Sequence, residues 1–561
     1  MMRKRTFFIR IAWALVCVHG WIVPVFAQES GFDSKVREQL RNRIEASGQK
    51  LKVGNEPIFA IIALPRFYQQ RLFEPAWFGG NGPGKNINEL VSLIRSASKE
   101  GLNPRDYHLD RITAVLAEVK ASLDEEKNVS YRLWVDAELL LTDSFLVLGS
   151  HYLAGRVNPE SIDSEWIANR RDADLALILQ KALENGTLKA SLQNLLPPQH
   201  GYRNLKLMLA SYKEIAANGG WRSMPEGNQI RKGDSGELID MLKVRLSQSN
   251  DLELPGYSYS LSDSFDQDLE STVQKFQRGH GLEVNGLVDQ ATLSALNTPI
   301  EKYIEQIEIN MERWRWLPQE LGARYILVNI ANFELDVVEN GTQILTMNTI
   351  VGRTYRRTPV FSGLMTYLVF NPYWHVPPGI AVNDILPAVK KDVNYLAAKK
   401  IKVFQGWGED TQTIDPGTID WNSISAKDLP FRFRQEPGTD NALGNVKFMF
   451  PNKFDVYLHD TPAKELFLQR ERGFSSGCIR IQKPIELAEY LLKNESGWTR
   501  DKINTTINKR TEQTVRLPEP IPVHILYWTA WSEGGQLQFR KDIYDRDRLL
   551  LNALREKPLA N

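Results

Sequence analysis

The apolar residues of this chain keep a helical spacing up to about residue 320 and a strand spacing after it. That switch of period constrains the fold more than any other feature, because one hydrophobic pattern cannot serve both elements. From about Val36 to Trp221 the spacing is helical. Residues 131–155 carry Leu133, Val135, Leu139, Leu140, Phe145, Leu146 and Leu148 without a proline, which predicts a buried helix. Residues 90–99 and 205–217 have amphipathic helical spacing. From Tyr325 the runs at 325–330, 333–338 and 343–351 predict strands, with Glu339-Asn340-Gly341 as a hairpin turn. Residues 365–370, 454–459 and 523–531 continue the pattern. With 561 residues the chain holds three or four domains, and the fold class is multidomain α+β. Between 377 and 444 the strand pattern lapses into a helix-like stretch, 385–400, and a Gly/Asp/Thr-rich loop. We read this as an insertion and a candidate lid.

Residues 1–27 read as a secretory signal peptide, with Arg3, Lys4, Arg5 and Arg10 ahead of an apolar run and with Val25 and Ala27 before Gln28. The chain is therefore expected to be exported. An uncleaved segment would instead give inner-membrane association. Val16 before Cys17 does not suit a lipoprotein site. Removing 1–27 leaves 65 Lys and Arg against 68 Asp and Glu, a net charge of −3, so there is no bulk basic field and no nucleic-acid partner is expected. It also removes Cys17, and the exported chain keeps one cysteine, Cys478. A lone thiol in an oxidising compartment is either buried and inert or there for a chemical reason.

The remaining domains read as 28–225, a helical scaffold; 228–298, a small module; 322–540, the β-rich domain with its 377–444 insertion; and 541–561, a tail. In the scaffold, Gly79 to Asn86 nearly matches a phosphate-binding loop, but Asn86 replaces the Ser or Thr that would hold magnesium, and a plain surface loop is expected. The module reads Val273-Gln-Lys-Phe-Gln-Arg-Gly-His-Gly-Leu-Glu-Val-Asn-Gly-Leu-Val-Asp-Gln-Ala-Thr292, and 251–264 look like an enlarged loop within it. This stretch resembles the peptidoglycan-binding three-helix module.

The chemistry concentrates around Cys478, in Tyr457-Leu-His459-Asp460 and Phe474-Ser475-Ser476-Gly477-Cys478-Ile-Arg480. A thiol needs a base or an electropositive site to become a thiolate near neutral pH, and His459 is the nearest base in sequence. The backbone N–H groups of Gly477 and Cys478 are candidates for an oxyanion hole. Arg480 falls on the same face as Cys478 in an extended segment and suits a bidentate carboxylate contact. Tyr457 shares the face of His459, and Trp374 precedes the insertion. Asp460 should point away from the His459 ring, since adjacent residues on a strand face opposite sides.

This arrangement resembles the L,D-transpeptidase family. Fifteen residues, 460–474, separate His459 from Ser475, within the family's spacing, and Ser476 stands where many members have a second histidine. The long Gram-negative branch reads Ser-Ser-Gly-Cys at this point. The resemblance extends over Val351-Gly-Arg, Asn371-Pro-Tyr-Trp, Asp440-Asn-Ala-Leu-Gly and Phe448-Met-Phe-Pro-Asn. It implies that Cys478 attacks the third-residue carbonyl of a tetrapeptide stem and that the terminal D-alanine leaves. A second stem's amine then takes the acyl group as a 3→3 cross-link. His459 would move the protons, with a backbone carbonyl orienting its ring. Tyr457, Ser476, Arg480 and Trp374 would bind substrate. The implied partners are peptidoglycan stems, glycan and carbapenem-type inhibitors, with no cofactor and no metal.

Other readings are open at this point. The same site with water as acceptor would be an L,D-carboxypeptidase, and a non-catalytic wall-binding scaffold would use Cys478 for packing. Gly473-Phe-Ser475-Ser-Gly477 matches a serine-hydrolase elbow, with His524 as a later histidine, but leaves Cys478 unexplained. Ser96-Ala-Ser-Lys99 matches a penicillin-binding motif without its companion motifs.

Overall fold

The structure is a computed structural model, and it describes residues 31–47, 50–79, 82–124, 130–168, 170–227, 229–248, 264–406 and 412–556. The leader with Cys17, residues 251–263 of the expected loop, 80–81, 407–411 and 557–561 lie outside the described residues. Among the described residues no helix is long and apolar enough to cross a membrane.

The helical region is organised on α1 (Tyr131–Ala154), which is buried on nearly every side. Ser130 caps its start by accepting the Arg132 N–H, and Gly155, at φ 80°, ends it. Three carboxylates, Asp136, Glu138 and Asp143, are buried on this helix, and each is kept there by donors; Asp136 pairs with Arg43. Glu138 accepts the backbone N–H groups of Trp77 at 2.8 Å and Phe78 at 3.0 Å, and the Tyr68 hydroxyl at 2.8 Å. Asp143 accepts the Ala60 N–H at 2.7 Å and sits 2.7 Å from His108 Nε2. An unpaired buried carboxylate would cost several kcal/mol, so these contacts fix loops 59–60 and 76–78 to the helix.

Further helices are α2 (His200–Ala217), α3 (Glu237–Gln248), α4 (Gln267–Gly279), α5 (Gln290–Leu296), α6 (Ile300–Arg315) and, near the end of the chain, α7 (Arg546–Arg555). Helices α3, α4 and α5 form the small module around Leu242, Phe276, Val288 and Leu296. The Gln277 side chain ties it together, with its amide donating to Asn285, the Leu287 carbonyl and Thr292.

The strands are β1 (Arg324–Asn329), β2 (Glu334–Glu339), β3 (Thr342–Gly352), β4 (Phe361–Phe370), β5 (Trp374–His375), β6 (Ile401–Gln405), β7 (Thr413–Ile414), β8 (Phe431–Gln435), β9 (Val446–Met449), β10 (Leu458–His459), β11 (Gly473–Ser475), β12 (Ile479–Ile481), β13 (Gln513–Leu526), β14 (Ala530–Glu533) and β15 (Gln536–Phe539). The main sheet runs β11-β3-β12-β10-β9-β4-β13-β1-β2. Strand β3 also pairs β2 over 342–348, before meeting β12 at 349–350, so the pairing returns on itself around one core. The β2–β3 turn has Asn340 and Gly341 both at positive φ, as a two-residue hairpin requires.

Two expectations from sequence change here. Residues 454–459 give only the two-residue strand β10, because Asn452 accepts the N–H groups of Phe454 and Val456 and folds 452–456 into a turn. The 377–444 insertion is not free of strands. Strands β7, β6, β8 and β5 form a four-stranded antiparallel sheet that packs with helical turns around Val403, Trp421 and Phe433. This cap therefore has its own core.

The regions also share side chains. Val157 and Trp166, beyond α1, enter the core of the β-rich domain, and the Val360 N–H donates to the Glu165 carbonyl at 2.8 Å. Helices α2 and α6 pack with β14 and β15 in a common cluster. Helix α7 places Leu550 in the β-domain core, so the chain beyond 540 is joined to that domain at least to the end of α7.

Candidate active site

Strands β10 and β12 run parallel, with Leu458 opposite Ile479 and His459 opposite Arg480. Alternation sends Leu458, Ile479 and Ile481 into the core. Tyr457, His459, Cys478 and Arg480 take the other face, where all four line a cavity of about 450 Å³. Ser476 and Trp374 line the same cavity, so the six side chains assigned to the site from sequence meet there. Trp374 is half-buried on β5 rather than enclosed in a core. From the cap, Pro377, Ile380 and Asn383 form the roof.

The loop that carries Cys478 is held from below. Ser475 is buried; its hydroxyl donates to the Cys478 carbonyl at 2.5 Å and accepts the Gly477 N–H at 3.1 Å. The Thr358 hydroxyl donates to the Gly477 carbonyl at 2.8 Å. Gly477 has φ 117°, a conformation that L side chains rarely adopt, and a Cβ there would meet only an ordinary contact at 3.5 Å. The glycine is thus required by backbone angle rather than by close approach of another chain. The expectation that both the Gly477 and Cys478 N–H groups face an oxyanion changes accordingly. The Gly477 N–H is engaged by Ser475 within the loop.

Cys478 is half-buried, with Sγ 3.8 Å from the Asp455 carbonyl oxygen. Burial raises its pKa above the ordinary thiol value. The Tyr457 N–H and hydroxyl, Lys447 and Arg480 pull the other way without overcoming burial. His459 is 5% exposed, and its Nδ1–H donates to the Asp460 carbonyl at 2.5 Å, which leaves Nε2 as the acceptor. Burial first, and then the Arg480 charge, push the imidazole down to about 3. From 6.5 to about 3 is a bias of about 5 kcal/mol toward the neutral ring. The resting pair is therefore thiol and neutral imidazole, not thiolate and imidazolium. The Asp460 carboxylate turns away, accepting the N–H groups of Asn445 at 2.8 Å and Thr461 at 2.7 Å and pairing with Lys464.

Arg480 is half-buried, and its Nε is buried with no hydrogen-bond partner. Among the described residues no carboxylate lies within 4 Å of it, and burial and the charge of Arg353 both lower its pKa. A guanidinium so placed is a receptor for an anion. Ser476 is exposed and accepts from Arg356 at 2.9 Å, while Arg356 pairs with Asp384 of the cap at 2.5 Å. Sequence reasoning missed Arg356 and Asp384, which lie 28 residues apart with no local pattern linking them. It also missed Lys447, although its place between Val446 and Phe448 was a period-2 signal that it leaves the core.

The serine-hydrolase reading does not fit this geometry. The Ser475 hydroxyl is spent on its own loop, and His524 Nδ1 is 2.8 Å from Ser362, with Nε2 3.0 Å from the Leu321 carbonyl.

Comparison with known proteins gives three family matches. Residues 62–209 match the scaffold domain, 235–296 the "Putative peptidoglycan binding domain", and 323–515 the L,D-transpeptidase catalytic domain. A Haemophilus influenzae protein named "Putative L,D-transpeptidase" is 38% identical over 244 residues, 44% of this chain and 48% of that protein. The chain thus spans about half the length of this curated relative. Among solved structures, the LD transpeptidase LdtMt1 in complex with imipenem is 13% identical, covers 36% of this chain and 59% of its own, and has a TM-score of 0.17. The L,D-transpeptidase from Xylanimonas cellulosilytica is 14% identical, with 54% and 99% covered and a TM-score of 0.17. The chain thus carries an L,D-transpeptidase catalytic domain at residues 323–515, behind a scaffold domain and a peptidoglycan-binding module.

Proposed function

We propose that this protein is a peptidoglycan L,D-transpeptidase working at the cell wall in the periplasm, with Cys478 as nucleophile and His459 as proton carrier. The observation that carries this reading is the meeting of one thiol, one neutral imidazole and one guanidinium with an unpartnered Nε in a single cavity. Arg480 holds a carboxylate of the donor stem. The Cys478 sulfur attacks the third-residue carbonyl, and its proton passes to His459 Nε2 in the same step, because neither group is charged beforehand. The Cys478 N–H receives the oxyanion. Collapse expels D-alanine, whose amine takes the proton from His459, and leaves a thioester. The amine of a second stem attacks the thioester, His459 accepts its proton, and the thiol is restored with a 3→3 cross-link made. The scaffold and module hold the site against the polymer by raising effective concentration.

The test is incubation with disaccharide-tetrapeptide, read by mass spectrometry. Dimer with loss of alanine is expected, and none from Cys478→Ala. Tripeptide alone would make the enzyme a carboxypeptidase. Dimer from Cys478→Ala would remove the nucleophile assignment. Imipenem should add its mass to the peptide that contains Cys478.

A further inference from the structure

Lys447 lies on β9 between Val446 and Phe448, both in the β-domain core, so alternation turns it to the face that carries the site. It is paired directly across from His459 in the antiparallel β9–β10 register. Its ammonium sits 4.2 Å from the centroid of the Tyr457 ring. Among the described residues no carboxylate comes within 4 Å of this ammonium, although it is half-buried. Burying an amine without a counter-ion is unfavourable, and a surface lysine would simply extend into water. Lys447 is not among the residues that line the cavity, although Tyr457 and His459 beside it are. What it faces is the π surface of Tyr457, which lines the cavity with Cys478, and both the tyrosine and the ammonium lower the pKa of that thiol.

We propose that Lys447 is a positioning residue for Cys478. Its ammonium under the Tyr457 ring strengthens the phenol as a hydrogen-bond donor to the sulfur and supplies the positive charge that a forming thiolate lacks in this buried loop. Lys447 touches no substrate and transfers no proton. It acts through Tyr457 and through the field at Sγ. The other charged or titratable groups around the sulfur are His459 on β10, Arg480 on β12 with Arg353 beyond it, and Asp455 in the 452–456 turn; Glu512, ahead of β13, faces Lys447. Burial lowers the pKa of Lys447, and Cys478, Glu512 and Asp455 raise it, as expected for an ammonium that belongs to this cluster.

This inference rests on the proposed role of Cys478, but its test needs no peptidoglycan. Full-length wild type, Lys447→Met, Lys447→Gln and Lys447→Arg are alkylated with iodoacetamide from pH 6 to 10. Labelling is followed on the tryptic peptide 473–480. The thiolate displaces iodide, so the rate follows the ionised fraction. Loss of a cation beside a thiol raises its pKa by about one unit, so Lys447→Met and Lys447→Gln should alkylate about tenfold more slowly at a fixed pH below the inflection. Lys447→Arg should stay within about twofold of wild type. Unchanged rate profiles in both neutral variants, with wild-type circular dichroism and Tm, would overturn the proposal. So would equal slowing in Lys447→Arg, since that would mark a packing effect. If Cys478→Ala still cross-links stems, the functional reading fails while the alkylation profiles still decide the role of Lys447.

Discussion

Arg480 carries the clearest unmet requirement in the site. A buried N–H without an acceptor costs about 1–3 kcal/mol, and a bound carboxylate would return that energy as binding. Arg480→Met should raise KM for the tetrapeptide donor about 10- to 100-fold with a smaller change in kcat. Equal loss in both, or none, would remove the carboxylate role. The neutral Cys478–His459 pair makes a second prediction. The imidazole, at about 3, stays unprotonated across the whole range in which a free histidine titrates, and the thiol is raised above its ordinary value. Acylation by imipenem should therefore be flat between pH 5 and 7. A fall with a midpoint near 6.5 would show that His459 is not buried as described. Strand alternation was enough to place Tyr457, His459, Cys478 and Arg480 on one face. It was not enough to give their protonation, which depends on what buries them, nor the capture of the Gly477 N–H by Ser475.

On the proposed function, the cap is the element that would set the choice of acceptor. Water and an amine compete for a thioester, and a roof that excludes water favours the amine. The roof is a small subdomain whose stability depends on Trp421, which packs on Phe431 and Phe433 and donates from Nε1 to the Pro416 carbonyl at 2.9 Å. Trp421→Ala should cost about 3–5 kcal/mol, more than so small a core can spare, and loosen the cap while leaving the main barrel folded. The ratio of tripeptide to dimer should then rise, and an unchanged ratio would end the idea that the cap excludes water. The strands of this element were visible in part. Ile401 and Val403 alternate with Lys402, and Phe431 and Phe433 with Arg432 and Arg434, so each segment reads as half-buried. Their pairing was not visible, because β6 and β8 lie well apart in the sequence and β5 precedes the insertion. Such contacts arise from tertiary packing that no local window contains.

At the scale of the molecule, the peptidoglycan-binding module is fastened to the β-rich domain through His280. The imidazole stacks on Phe276 inside the module and meets Tyr303 of α6 and Phe539 of β15. Arg540 donates to the Gly279 carbonyl at 3.0 Å beside it. Burial, and then the charges of Arg245 and Arg540, hold this histidine at about 3, against a pull upward from the Phe276 carbonyl. A histidine exposed by undocking would return toward 6.5. The undocked state then binds more protons between about pH 6.5 and 3, so docking loses stability as pH falls through that window and is unaffected above it. At pH 5 the loss is about 2 kcal/mol, since each pH unit below 6.5 contributes about 1.4 kcal/mol. Wild type should become more open in small-angle scattering, and more readily cleaved between α5 and α6, at pH 5 than at pH 7. His280→Phe keeps the aromatic contacts without the titration and should remove most of that difference. If His280→Phe opened as readily as wild type at pH 5, the acid sensitivity would belong to another group. The module would then be held by its apolar contacts, Arg540 and the Tyr303 hydroxyl on the Ala295 carbonyl, none of which titrates between pH 5 and 7.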